Sequence, residues 1–189
     1  KPDIEALVRM NVTAPIEMSQ FAVRNMMSAG EGRVVNMSSI VAATGYSGLS
    51  VYAATKAALV GFTKSLSREV GRLGVTVNAV APVALTRMTE DLGPAPETDE
   101  QREARAPKWI APIVTWLCSD EAAGVTGRVF EASGQFLAVA EGWVRGPSVD
   151  AIDDPTQLGP VVADLVAKAR PNSGMDGVPG GFPQPQGGN

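Results

Sequence analysis

The chain has 189 residues, 44% of them hydrophobic and 19% charged, with a net charge of −4, which predicts one soluble globular unit without a membrane partner. No basic run or stripe occurs, so a nucleic-acid partner is not expected. Cys118 is the only cysteine and histidine is absent, which excludes an internal disulfide and histidine bases, and no metal site is expected.

The first half of the chain predicts helices alternating with buried strands. Its predicted elements are a helix over 3–28, a strand over 33–37, a loop over 40–50, a helix over 51–73 and a strand over 75–81. Pro15 is expected to kink the first helix or to start a new segment, and Gly74 to end the second helix as a C-cap. Strand, helix and strand in this order predict a right-handed parallel crossover.

The second half of the chain is less regular. Its predicted elements are a loop or lid over 82–107 with a short helix over 100–105, a helix over 108–119, a strand over 127–132, an irregular strand over 136–144, a helix over 154–170 and a disordered tail over 171–189. Long loops in compact domains are more often functional than not, so the segment 83–106 is expected to line a substrate pocket.

Some side chains of that segment suit a ligand. Met88 and Leu92 are apolar candidates, and Arg87, Arg102 and Arg105 are candidate phosphate partners. The same stretch carries six acidic residues, which argue against a strongly positive groove and also suit the solvated face of a lid.

A hydroxyl, a phenol and an ammonium lie close together in the segment 39–56. Tyr52 and Lys56 are four positions apart in a predicted helix, so both side chains lie on one helix face. A nearby ammonium lowers the pKa of a phenol, so Lys56 would make Tyr52 usable as an acid or base. Ser39 follows a predicted strand, at the end where ligands bind in open α/β sheets. Alone, such a Tyr and Lys pair is more often a solvated helix edge.

Several blocks occur in the order of a known family. They are the spacing of Asn11, Ser39, Tyr52 and Lys56, the strand end VVNMSS, the segment VYAATKAALVGFTKSLSREVGRLGVTVNAVAP and the later Val-Thr-Gly at 125–127. On these blocks the chain resembles the C-terminal two-thirds of a short-chain dehydrogenase/reductase. The resemblance implies an α/β fold: a Rossmann-like, doubly wound parallel sheet whose N-terminal part is absent from this chain.

The resemblance also implies a division of the chain and a substrate class. A partial dinucleotide-binding domain is expected over 1–147, a C-terminal helical extension over 148–170 and the disordered tail over 171–189. The phrase WIAPIVTWLCS and its surroundings are similar to the (3R)-hydroxyacyl-CoA dehydrogenase domain of the peroxisomal multifunctional enzyme type 2 group. This implies interconversion of a secondary alcohol and a ketone, with a 3-hydroxyacyl-CoA or a steroid as the small-molecule substrate.

Catalytic roles follow from the resemblance residue by residue. Tyr52 would be the general acid/base, and Lys56 would lower its pKa and bind the nicotinamide ribose of NAD or NADP. Ser39 would orient the substrate oxygen. Asn11 would keep a local kink in its helix and hold a water of a proton relay, although a purely structural role is an equal alternative.

The loop after the second strand would contact the nicotinamide through Pro82 and Thr86. Here the chain departs from the family, because Pro82-Val83 replaces the common Pro-Gly and the backbone freedom of glycine is lost. Thr86 could instead be a plain helix N-cap. Ser38 is expected to be only a neighbour of the site.

The family's glycine-rich phosphate loop is not found in these residues, which begin at Lys1 directly with a helical pattern. The chain is therefore expected to be part of a longer dehydrogenase. Two alternatives stay open: a truncated, non-catalytic interaction module, and a Ser39–Lys56 hydrolase. By resemblance, the helices over 3–28 and 51–73 would pair across a dimer axis, giving a homodimer or homotetramer. The single cysteine favours a cytoplasmic location.

Overall fold

A sheet of four strands lies at the centre of the structure, a computed structural model that describes residues 4–87, 89 and 95–174. The strands are β1 (Gly32–Met37), β2 (Val75–Pro82), β3 (Val129–Ala132) and β4 (Leu137–Ala140), in that spatial order. β1 pairs with β2 and β2 with β3 in parallel, whereas β4 runs antiparallel to β3. The carboxyl ends of β1 and β2 therefore meet at one edge of the sheet.

Helices connect and cover these strands. They are α1 (Ile4–Val8), α2 (Ala14–Ala29), α3 (Val41–Thr44), α4 (Ser50–Val70), α5 (Asp99–Ala104), α6 (Ala111–Leu117) and α7 (Leu158–Lys168). None of the helices in the described ranges has both the length and the apolar character needed to span a bilayer.

β2 is the most deeply buried element because both of its faces are covered. Val75 and Val77 pack with Val23 of α2 and Val70 of α4. The residues of the opposite face include Val80, which packs in a second cluster with residues of α6. A strand that is buried on both faces reads as a continuous apolar run, which is why its sequence predicted a buried parallel strand. The predicted α/β fold, with helices on both faces of a mainly parallel sheet, is confirmed.

The first predicted helix is interrupted. A π-helical segment, Arg9–Thr13, separates α1 from α2, and the backbone N–H of Ala14 donates to the carbonyl of Arg9. Pro15 has no N–H to donate to the carbonyl of Asn11, so a regular α-helical bond is missing at this point. Pro15 lies in the first turn of α2, where proline is tolerated.

Other boundaries differ from the sequence prediction in local detail. The expected loop 40–50 contains the short helix α3, which Gly45 ends at a φ of 68°. The predicted helix 108–119 begins with the 3₁₀ turn Pro107–Ile110, and the predicted helix 154–170 with the 3₁₀ turn Pro155–Gln157. The predicted strand 136–144 is confined to β4. These short turns depend on tertiary contacts more than on periodicity, so sequence patterns define them poorly.

The chain divides into two compact units, Lys1–Ala140 and Glu141–Asn189. The first contains the whole sheet and all the candidate site residues. The second contains α7. Asp154 is the N-cap of the 3₁₀ turn that leads into α7, because its side chain accepts a hydrogen bond from the Thr156 N–H. The predicted division at 147 and 170 stays a prediction, and residues 175–189 of the predicted tail lie outside the described residues.

Candidate active site

The candidate site lies where β1 and β2 end side by side. Met37, the last residue of β1, is opposite Val80 of β2, and the Ser38 N–H extends the ladder by donating to the Val80 carbonyl at 2.7 Å. Ser39 follows and is half-buried. The parallel register thus delivers the predicted serine to the carboxyl edge of the sheet, where ligands bind in open α/β folds.

Tyr52 and Lys56 lie on the first turns of α4 and face the same region. The Nζ of Lys56 is 5.7 Å from the centroid of the Tyr52 ring, a separation at which a cation is attracted to the face of an aromatic ring. The same Nζ donates a hydrogen bond of 2.9 Å to the carbonyl of Met37. Lys56 therefore bridges the tyrosine and the end of β1.

The protein holds Lys56 at two points. Its ammonium is anchored by the Met37 carbonyl, and its backbone carbonyl accepts a hydrogen bond of 2.9 Å from the hydroxyl of Ser38. Ser38 is buried, and sequence reasoning regarded it only as a neighbour. Burial of the Lys56 side chain lowers the pKa of its ammonium below the ordinary value of 10.5.

Asn11 reaches the same helix from the π-helical segment. Its Nδ2 donates a hydrogen bond of 3.2 Å to the Oγ1 of Thr55, the residue that precedes Lys56. The Thr55 hydroxyl in turn donates to the backbone carbonyl of Tyr52 at 2.7 Å. Through Thr55, Asn11 is thus linked to the turn of α4 that carries Tyr52 and Lys56. Ser39 lies at the adjacent strand end. Thr55 is a contact that sequence reasoning missed.

Pro82 and Thr86 have different surroundings. Pro82 is the last residue of β2 and pairs with Ala132, and the Val83 N–H donates to the Ala132 carbonyl at 2.8 Å. No non-glycine residue in the described ranges has a positive φ, so Val83 extends the ladder without needing glycine geometry. Thr86 is exposed, and its N–H donates to the Thr89 hydroxyl at 2.8 Å. Its hydroxyl lies 3.2 Å from the Thr89 hydroxyl.

A backbone hydrogen bond joins the beginning and the end of the predicted lid over 82–107. The Arg105 carbonyl, just after α5, accepts a bond of 2.7 Å from the Leu85 N–H. Met88 and Leu92, the apolar candidates for the pocket, lie outside the described residues. In the part of the chain that the structure describes, no group of three or more His, Cys, Asp or Glu side chains is arranged to hold a metal ion. The chemistry available at the edge is proton transfer by a phenol, with an ammonium and hydroxyls beside it.

Comparisons with known proteins identify the family of the chain. The short chain dehydrogenase family profile matches residues 1–97. The chain is 40% identical over 139 residues to the 3-oxoacyl-[acyl-carrier-protein] reductase FabG of Vibrio cholerae, a match that covers 68% of this chain and 55% of that protein. The chain thus spans about half the length of the curated relatives it matches.

Solved structures show the same fold. A short chain dehydrogenase from Mycobacterium avium has a TM-score of 0.79 and 42% identity, covering 92% of this chain and 60% of that one. The full-length peroxisomal multifunctional enzyme type 2 from Drosophila melanogaster has a TM-score of 0.73 and 24% identity, covering 89% of this chain and 30% of that one. At this lower identity the likeness shows the fold alone.

Proposed function

The chain belongs to the short-chain dehydrogenase family, and we propose that it carries the proton-transfer site of an NAD(P)-dependent oxidoreductase that interconverts a secondary alcohol and a ketone. The observation that carries the proposal is the position of Lys56. Its ammonium lies 5.7 Å from the Tyr52 ring centroid and is anchored at the carboxyl end of β1. A cation close to a phenol is one means by which proteins adapt this group to acid/base work near neutral pH.

In the proposed reaction, Tyr52 exchanges a proton with the carbinol or carbonyl oxygen of the substrate. The Met37 carbonyl holds the Lys56 ammonium beside the Tyr52 ring, where it adjoins the group that exchanges the proton. Ser39 orients the substrate oxygen from the adjacent strand end. Asn11 keeps the π-helical segment in contact with α4 and orders the water of a proton relay.

The cofactor would supply the hydride chemistry when bound. Tyr52, Lys56 and Pro82 border the shared carboxyl edge of β1 and β2, where an open α/β sheet receives a nucleotide. Lys56 and Tyr52 would hold the nicotinamide ribose, and Pro82 and Thr86 the nicotinamide. The fit concerns only this end of the cofactor, since no glycine-rich phosphate loop occurs in the 189 residues. NAD and NADP both suit it.

For the substrate, we infer a 3-oxoacyl or 3-hydroxyacyl thioester, with a steroid as the competing class. The name of the Vibrio cholerae relative supports the thioester, because that protein is a 3-oxoacyl-[acyl-carrier-protein] reductase at 40% identity. An acyl group bound to a carrier protein and one bound to CoA share the same reacting ketone. The two thioesters are therefore assayed as separate substrates.

Association of two or four copies through the helices over 3–28 and 51–73 is part of the same proposal. Met18 and Phe21 on α2 are 72% and 77% exposed. These two apolar side chains lie three positions apart, on one helix face, and a partner copy would remove them from water. A homodimer or homotetramer therefore accounts for their exposure, and a cytoplasmic location is compatible with the single cysteine.

The test compares two tyrosine variants, since the chain has only two tyrosines. Turnover of 3-oxoacyl-CoA, 3-oxoacyl carrier protein and a ketosteroid is followed by nicotinamide absorbance with NADH and NADPH, on the protein that contains this chain. Tyr52→Phe is expected to lower kcat by about 10²-fold or more, the scale of general acid/base catalysis. Tyr46→Phe removes the other phenol hydroxyl and is expected to leave kcat within about twofold.

Two results would contradict the proposal. If wild-type protein turns over none of the substrates, the non-catalytic interaction module becomes the better reading. If Tyr52→Phe is as active as Tyr46→Phe, the proton is transferred by another group. A Ser39–Lys56 hydrolase would need the Lys56 amine to accept the Ser39 proton, whereas the Lys56 Nζ donates a hydrogen bond to the Met37 carbonyl.

A further inference from the structure

Thr55 lies between two of the proposed catalytic residues without being one of them. Its side chain is buried, and its hydroxyl makes two hydrogen bonds. It accepts from the Asn11 Nδ2 at 3.2 Å and donates to the Tyr52 carbonyl at 2.7 Å. One hydroxyl therefore connects the π-helical segment to the turn of α4 that carries Tyr52 and Lys56.

The bond to the Tyr52 carbonyl is, by itself, ordinary. Ser and Thr side chains in helices often bond to the carbonyl three or four residues earlier, as Ser67 does to Lys64 at 2.8 Å in the same helix. The bond to Asn11 is different, because it joins residues 44 positions apart in the chain. Through this tertiary contact, Thr55 links α4 to a different part of the chain.

A second threonine of α4 provides the natural comparison. Thr63 is also fully buried, and its hydroxyl accepts a hydrogen bond of 2.9 Å from the Asn36 amide. Thr63 lies two turns further along the same face of α4, and none of its bonds reaches Tyr52, Lys56 or Asn11. The two threonines thus make matched tertiary bonds, and only that of Thr55 adjoins the site.

We propose that Thr55 is a positioning residue, which holds the π-helical segment of Asn11 in register with Tyr52 and Lys56. The inference rests on the proposed oxidoreductase function. Without the hydroxyl, the Asn11 amide loses its acceptor and the segment is no longer tied to α4. Asn11 then no longer has a defined position relative to Tyr52, and proton transfer slows while the groups that bind substrate stay in place.

The experiment measures kcat and KM for Thr55→Val, Thr55→Ser and Thr63→Val in the protein that contains this chain. Thr55→Val is expected to lower kcat about tenfold or more, because a displacement of about 1 Å can cost roughly 10²-fold. KM is expected to change less than about twofold. Thr55→Ser keeps the hydroxyl and should restore kcat, and Thr63→Val should lower stability without lowering kcat. Thr55→Ala replaces Thr55→Val if the latter does not fold.

A double-mutant cycle separates positioning from general destabilisation. Asn11→Ala and Thr55→Val are expected to lower kcat together by little more than Asn11→Ala alone, since they break the same bond. Independent, multiplicative effects would overturn the proposal, and so would a Thr55→Val enzyme with wild-type kcat. Both of these results leave the proposed function standing. Absence of turnover in the wild type would instead refute the proposed function and the role of Thr55 with it.

Discussion

Gly74→Ala is expected to destabilise the protein far more than Gly30→Ala, although the two glycines have almost the same backbone conformation. Gly30 ends α2 with a φ of 76°, and Gly74 follows the 3₁₀ turn Gly71–Leu73 with a φ of 78°. Gly30 precedes β1 and Gly74 precedes β2. The two strands begin to pair with Gly32 opposite Val75, so the segments that lead into them run side by side. The close approach of these two segments is the reason why the two substitutions are expected to differ in their effect on stability.

The expected magnitude comes from two contributions. A left-handed conformation costs an L-residue about 1–2 kcal/mol, partly offset by the smaller entropy of the unfolded chain, so Gly30→Ala should cost about 1 kcal/mol. A Cβ on Gly30 meets nothing within 4 Å, whereas one on Gly74 overlaps the Gly30 carbonyl oxygen and lies 2.7 Å from its carbon. Overpacking adds about 1–3 kcal/mol, so Gly74→Ala should cost about 2–4 kcal/mol.

Urea unfolding followed by far-ultraviolet circular dichroism measures both variants against the wild type. The free energy of unfolding should fall for Gly74→Ala by at least about 1 kcal/mol more than for Gly30→Ala, with similar m values. Equal losses for the two variants would show that the chains entering β1 and β2 are not this close, and would refute the reasoning.

Two further predictions concern polar groups, one half-buried and one fully buried. Because the pKa of Lys56 is lowered from 10.5 in the folded protein, the unfolded chain binds more protons between the two pKa values. The free energy of unfolding of the wild type, relative to Lys56→Met, should therefore rise with pH in that window, and a flat or falling difference would contradict the burial of the ammonium. Asn78 is fully buried, donates to the Val125 carbonyl at 2.7 Å and accepts from the Arg128 N–H. Asn78→Ala should lower the free energy of unfolding by about 2–4 kcal/mol in urea titrations, while exposed Asn25→Ala should stay within about 0.5 kcal/mol. Similar losses for the two asparagine variants would show that the Asn78 bonds contribute little.

The main elements of the fold could be predicted because their signals are local. The mainly apolar segment from Val75 to Ala81 indicated a buried strand, and the glycine at 74 indicated the end of a helix. The antiparallel direction of β4 and the helical turn α3 were not predictable, since neither has a periodicity of its own. The family assignment is confirmed, whereas the roles of the individual site residues stay predictions.

The sequence by itself determined that Tyr52 and Lys56 share a helix face, because four residues make about one helical turn. It also placed Ser39 just past a strand, since the apolar run ends at that point. Only the tertiary structure decided what holds these groups: the Lys56 ammonium on the Met37 carbonyl, the Ser38 hydroxyl on the Lys56 carbonyl and the Asn11 amide on Thr55. Those bonds join residues that are distant in the chain, and no local pattern specifies which hydroxyl meets which partner.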